Sequence, residues 1–172
     1  THVRPAHDWS MLDRDVLGWL RGGDGLGDEI LLSLDETRAI IEPAAAALAA
    51  ERATAEDCAR IEAALAAMER EQDDPAAAIA ADKAFHLAII DATHNPILRS
   101  FRGVIDTILS ALFDITVGVF AGNLANHAAV AQAISARDPA KARRAMEELL
   151  GYTQQHLLSG SLKPARTEND KP

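Results

Sequence analysis

Three dipeptides, Asp74-Pro75, Asn95-Pro96 and Asp138-Pro139, constrain this chain more than any other feature. In each, an N-capping side chain precedes a proline, whose locked φ and missing N–H suit the first turn of a helix and its interior poorly. Thr54-Ala55-Glu56-Asp57 adds a capping-box pattern, with its acidic residue three positions on. The stretches between these marks are rich in Ala and Leu, only 4% of residues are aromatic, and no run alternates as a half-buried strand would. Helices are predicted near 12–21, 28–51, 55–72, 75–93, 96–120, 124–136 and 139–158. Pro43 is expected to kink or divide the second, and Gly122-Asn123 to separate the fifth from the sixth. The expected fold is an all-α antiparallel helical bundle of six to seven helices.

At 172 residues the chain is long enough for one well-buried core. Its formal net charge of −9 argues against this segment gripping DNA phosphates, which calls for a basic face. The single cysteine, Cys58, excludes an internal disulfide framework and suits a reducing compartment, so a cytoplasmic location is expected. No run of 18 apolar residues is present and no membrane partner is expected. The opening Thr1-His2-Val3-Arg4-Pro5 carries no methionine and reads as part of a longer protein. The polar tail from Ser159 is expected to be disordered.

Asp82 and His86 lie four residues apart on the stripe that carries Ile79, Ile89, Ile90 and Thr93. At that spacing both project from one helix face, and this one is predicted to point into the core. Folding the chain about Asp138-Pro139 sets His127 opposite Leu149, and Val130 and Ile134 share the His127 stripe. Folding about His94-Asn95 brings His86 towards Gly103 and Asp82 towards Thr107. A glycine there leaves room for a ligand or permits close helix packing. Separately, Asp82–His86 reads as a helix-surface ion pair and His127 as a core histidine. Together, on inward faces of two helices, they point to a bound metal or cofactor. His2, His7 and His94 fall in linkers or turns, and His156 near a helix end. No Glu or Lys falls on the stripes around the three candidates, so a general base for catalysis is not expected.

Asp82-Lys83-Ala84-Phe85-His86, then Asn95-Pro96, then His127 with Ala133-Ile134-Ser135-Ala136-Arg137-Asp138, resemble the effector-binding FCD domain of FadR-type regulators in the GntR family of bacterial transcription factors. Leu34-Asp35-Glu36-Thr37-Arg38-Ala39-Ile40-Ile41-Glu42-Pro43 resembles the start of that domain. The opening His2-Val3-Arg4-Pro5 and the run from Trp9 to Leu17 resemble the wing exit and linker of members that sense sugar acids such as galactonate. The division implied is a linker at 1–10 after an N-terminal winged helix-turn-helix absent from this chain, an effector-binding and dimerisation domain at 11–158, and the tail at 159–172.

The resemblance implies a homodimeric repressor that reaches operator DNA through that N-terminal domain and senses a small organic or sugar acid. It also implies a divalent metal, commonly zinc or nickel, on Asp82, His86 and His127. The family's fourth ligand is a histidine on the last helix, where this chain has Leu149. That leaves either a three-ligand site completed by water or effector, or a metal-free sensor. Arg38 matches the arginine that faces the effector carboxylate, and a guanidinium fork suits that role; a surface salt bridge with Glu42 is the alternative. Asn95 matches a helix-capping asparagine, for which capping is itself a sufficient explanation. Thr107, by hairpin geometry, and Asn126, by adjacency to His127, complete the candidate effector contacts. The competing classes are a structural dimerisation bundle and a helical metal-dependent enzyme.

Overall fold

Each Asx-Pro pair caps a helix as read. The computed structural model describes residues 28–116 and 120–160, with positions 8–10, 13, 15, 16 and 19 before them. The described residues form no strand, and from Asp28 onward they form seven helices: α1 (Asp28–Arg52), α2 (Ala55–Arg70), α3 (Pro75–Ala92), α4 (Pro96–Ser100), α5 (Arg102–Thr116), α6 (Phe120–Ser135) and α7 (Pro139–Gly160). Asp74 Oδ1 accepts from the N–H groups of Ala76 and Ala77 at 3.0 and 3.2 Å. Asn95 Oδ1 does the same for Ile97 and Leu98 at 2.9 and 3.3 Å, and Asp138 Oδ1 for Lys141 at 2.9 Å. At α2 the capping box is complete: Thr54 Oγ1 accepts from Asp57 N at 3.1 Å and Asp57 Oδ2 from Thr54 N at 2.8 Å. Each bond satisfies an otherwise orphaned N–H of a helix start.

Three boundaries differ from the reading. Pro43 does not divide α1, which continues to Arg52. The proline removes one donor, and Ala39, whose carbonyl loses that partner, is exposed and open to hydration. The stretch 96–120 breaks at Phe101, where a tight bond from Phe101 N to Leu98 O at 3.0 Å closes α4 before α5 begins. Gly122-Asn123 lies inside α6 instead of before it. Asn123 is held there by tertiary bonds, its Nδ2 donating to the Leu149 carbonyl at 3.3 Å and to Thr153 Oγ1 at 3.2 Å. Of the helix expected at 12–21 only positions 13, 15, 16 and 19 are described; 15, 16 and 19 are helical, and Asp13 Oδ1 accepts from Asp15 N at 2.8 Å. Most of the linker, the tail beyond Gly160 and the His156 side chain lie outside the described residues.

The bundle packs α1 against α7, α2 against α3, and α6 against α7, with α3 also touching α1 and α5. Small side chains make this close approach feasible. Ala45, Ala46, Ala49 and Ala50 of α1 are fully buried, and Ile61, Phe85, Ile89, Ile134, Met146 and Leu149 fill the space between the helices. The turn register about His94-Asn95 is the one expected. Lys83 Nζ reaches Asp106 at 2.7 Å and Ser110 at 2.9 Å, and Arg102 pairs with Asp91. His94 takes φ 49°, and its Nε2 meets Asp57 Oδ2 at 2.7 Å, fastening this turn to the start of α2.

Candidate metal centre

Asp82 and His86 face inward from α3, and α6 brings His127 to them. Asp82, His86 and His127 are 4%, 3% and 2% exposed. One ligand atom from each lies within 4.8 Å of the others. The stripe is buried as expected at Ile89, Ile90 and Thr93, while Ile79 is half-buried. His127 Nε2 is 2.9 Å from Asp82 Oδ1, and His86 Nε2 is 3.7 Å from the same oxygen. Ligand atoms about 2.0–2.2 Å from a common tetrahedral zinc ion stand about 3.3–3.6 Å apart, and the two spacings to Asp82 lie within a few tenths of an ångström of that range. Phe85, fully buried, meets both imidazoles edge-on, its centroid 5.1 Å from His127 and 5.7 Å from His86.

The other ring nitrogens are also occupied. His127 Nδ1 lies 3.0 Å from the Asn123 carbonyl one turn earlier in α6. His86 Nδ1 bonds to Glu42 Oε2, a contact between side chains that are both 2% exposed. A ring that donates its Nδ1–H keeps Nε2 as the ligating atom, which suits a metal held between the rings and Asp82; without metal, the 2.9 Å contact of His127 Nε2 with Asp82 Oδ1 is a hydrogen bond that places a proton between them. The same Glu42 accepts from Arg38 Nε through its Oε1 at 2.6 Å.

The donor set therefore fits a divalent transition metal: two imidazoles and a carboxylate, buried, with both rings oriented from behind. Charge agrees. Asp82 and Glu42 outnumber Arg38 by one negative charge, which a protonated imidazole offsets without metal and a divalent cation would offset with both rings neutral. Burial alone would raise the Glu42 carboxyl, but the Arg38 and His86 charges outweigh it and hold it at about 2, against an ordinary 4.5. Asp82 is likewise lowered, burial being overcome by His86, His127 and Arg38. Arg38 is raised; burial opposes its charge, but Glu42 dominates.

Arg38 is 3% exposed, so the Glu42 pair is formed, but in the interior and not on the surface. Glu42 is a second inward carboxylate beside Asp82, one that the helix stripes around the three candidates do not contain. It arrives from α1, 44 positions from His86, and the Arg38–Glu42 spacing marks two helical neighbours without saying what they face. Asn126 is joined to the centre through Asn123, donating to its Oδ1 at 2.7 Å. Thr107 bonds to the Gly103 carbonyl of its own helix at 2.8 Å, and Asn95 is engaged in its cap; their recorded bonds do not reach the three ligands. Leu149 is 1% exposed and belongs to the core, its carbonyl held by Asn123.

An all-helical bundle with these residues at its centre defines a class, and the sequence match makes it explicit. The FCD domain model matches residues 34–152, and the chain belongs to that family: it is an FCD domain of a GntR-family regulator. Among curated relatives, the Galactonate operon transcriptional repressor of Escherichia coli (strain K12) is 38% identical over 114 residues, covering 66% of this chain and 49% of that protein. An Escherichia coli (strain K12) protein named as a candidate regulator of the L-lactate dehydrogenase operon is 33% identical over 160 residues, covering 88% and 60%. The chain thus spans about half to three-fifths of these relatives, which are transcriptional regulators and not enzymes. The structure of Streptococcus agalactiae GntR superposes with a TM-score of 0.69 at 24% identity, covering 82% of this chain and 65% of that one, and shares the fold.

Proposed function

We propose that this domain is the ligand-sensing and dimerisation half of a cytoplasmic transcriptional repressor, and that it binds a small carboxylic or sugar acid at a zinc or nickel ion held by Asp82, His86 and His127. The observation that carries this reading is the convergence of three buried ligand-type side chains with both imidazoles oriented from behind. The metal would supply a cationic anchor for a carboxylate. The names of two relatives refer to a galactonate operon and an L-lactate dehydrogenase operon; galactonate and L-lactate both carry a hydroxyl beside the carboxylate, a chelating pair suited to a metal short of one protein ligand. Arg38 then offers a second positive contact, with Asn126, Thr107 and Asn95 as further candidate contacts.

The centre is buried, so an acid that enters it must shift helices. A groove of about 210 Å³ between α1 and α7 is lined by Asp35, Ala39, Pro43, Glu147, Leu150 and Gln154, and Arg38 neighbours Ala39 in the chain. Binding there would be linked to helix movement, and an effector that prefers one arrangement would bias the paired N-terminal DNA-binding domains. Residues 1–10 serve as the linker to those domains, 11–158 as the sensing unit and 159–172 as the tail.

Thermal melts with a panel of hydroxy and sugar acids, each with and without added zinc or nickel, test this. A binding acid at a hundredfold excess over Kd adds about 2.7 kcal/mol of stability, and the shift is expected only when metal is present. A second reading, a metal-free sensor, is favoured by Leu149 at the fourth-ligand position and by the direct 2.9 Å contact of His127 with Asp82. An acid that raises the melting temperature equally in chelator would establish it.

A further inference from the structure

The two histidines are held from behind by different means. His127 Nδ1 leans on a main-chain carbonyl of its own helix, four residues back, so its orientation is built into α6. His86 Nδ1 depends on a side chain from another helix, Glu42 of α1. That carboxylate is itself shared: one oxygen takes His86, the other accepts from Arg38 at 2.6 Å, and all three side chains are 2–4% exposed. A buried carboxylate held at both ends has no solvent-exposed alternative to return to.

We propose that Glu42 is the positioning residue of this centre: it turns His86 Nε2 towards Asp82 and His127, and it ties that imidazole to Arg38. The proposal rests on the metal-centre reading above. It follows that the three ligands are not equivalent. Asp82 and His127 are oriented by α3 and α6 alone, whereas His86 ligates well only while α1 sits where Arg38 and Glu42 place it. A carboxylate behind an imidazole also strengthens it as a donor, and loss of such outer partners typically costs about 10–100-fold in metal affinity. The Arg38–Glu42 pair then links two sites: whatever Arg38 binds is felt at His86, and the effect runs equally in reverse.

The test titrates the chelator-treated protein with zinc alone and reads, in parallel, the ring nitrogens of His86 and His127 by long-range nitrogen–proton NMR before metal is added. Glu42→Gln is expected to weaken zinc binding about 10–100-fold and to change the His86 ring-nitrogen signals while those of His127 stay as in the parent. The paired substitution Arg38→Gln/Glu42→Gln removes both charges together and is expected to show the same His86-specific change, which covers the case in which Glu42→Gln alone does not fold. Unchanged zinc affinity in a folded variant, or equal changes at both histidines, overturns the proposal. A parent protein that takes no zinc defeats the metal reading instead. The NMR comparison then separately decides whether Glu42 holds His86, and an unaltered His86 ring overturns that as well.

Discussion

Arg38 and Glu42 show how much one residue's surroundings alter its meaning. In sequence they are an i,i+4 pair of the kind that contributes a few tenths of a kcal/mol on a helix surface. In the bundle both are nearly inaccessible, and removing Arg38 leaves the buried Glu42 charge with the His86 ring as its remaining partner. Arg38→Ala is expected to cost about 3–5 kcal/mol, and replacing both residues by apolar ones of similar volume far less. Urea unfolding of the three proteins checks this; a single-variant loss within about 1 kcal/mol, as for a surface pair, would show that His86 alone suffices to hold the Glu42 charge. An effector test at Arg38 therefore needs a substitution that keeps the charge, such as Arg38→Lys, which loses the planar fork.

At the level of helices, the capping chemistry was readable because it is local. Asp57 is the clearest case. Burial would raise its carboxyl, but the N–H and O–H of Thr54 and the ring of His94 hold it well below the ordinary carboxylate range. A lowered carboxyl contributes stability above its unfolded pKa and loses it as pH falls through the folded one, so this contribution is full near neutrality and fades only below about pH 4. Asp57→Ala is expected to cost about 1–2 kcal/mol at pH 7 and to flatten that acid dependence, as measured by denaturant unfolding at several pH values. The α6–α7 hairpin makes a second prediction. Leu149→His restores a nitrogen ligand opposite His127 and is expected to tighten zinc binding, while lowering metal-free stability through the lost core leucine. Calorimetric titration beside thermal melts reads both. Unchanged zinc affinity would mean that the position-149 side chain does not reach the centre.

For the whole molecule, charge and helix hydropathy set the outer limits. No helix among the described residues is long and apolar enough to cross a membrane, and the chain carries net charge −9. Residues 1–172 alone are expected to show no sequence-specific DNA binding, since the acidic domain offers no field to attract phosphate. A gel shift with sub-micromolar, sequence-dependent affinity would contradict this. Sedimentation of the same protein is expected to report a dimer, the state in which a sensing domain can set the spacing of two N-terminal partners.

The sequence by itself determined where most helices start, that Asp82, His86 and His127 point inward, and that α3 and α5, and α6 and α7, fold back in the expected registers. All of these rest on contacts within one helix or across one short turn, where spacing and capping chemistry act directly. Only the tertiary structure decided that Pro43 lies inside an unbroken helix, that Asn123 belongs to α6, and that Glu42 stands behind His86. The last two depend on a partner from a separate helix, and Pro43 on the solvent exposure of the carbonyl it leaves free; no local periodicity carries that information. The buried Arg38–Glu42–His86 chain exists because α1 packs across α3, and the energy that places it there is the burial of alanine and aliphatic faces far from the charges themselves.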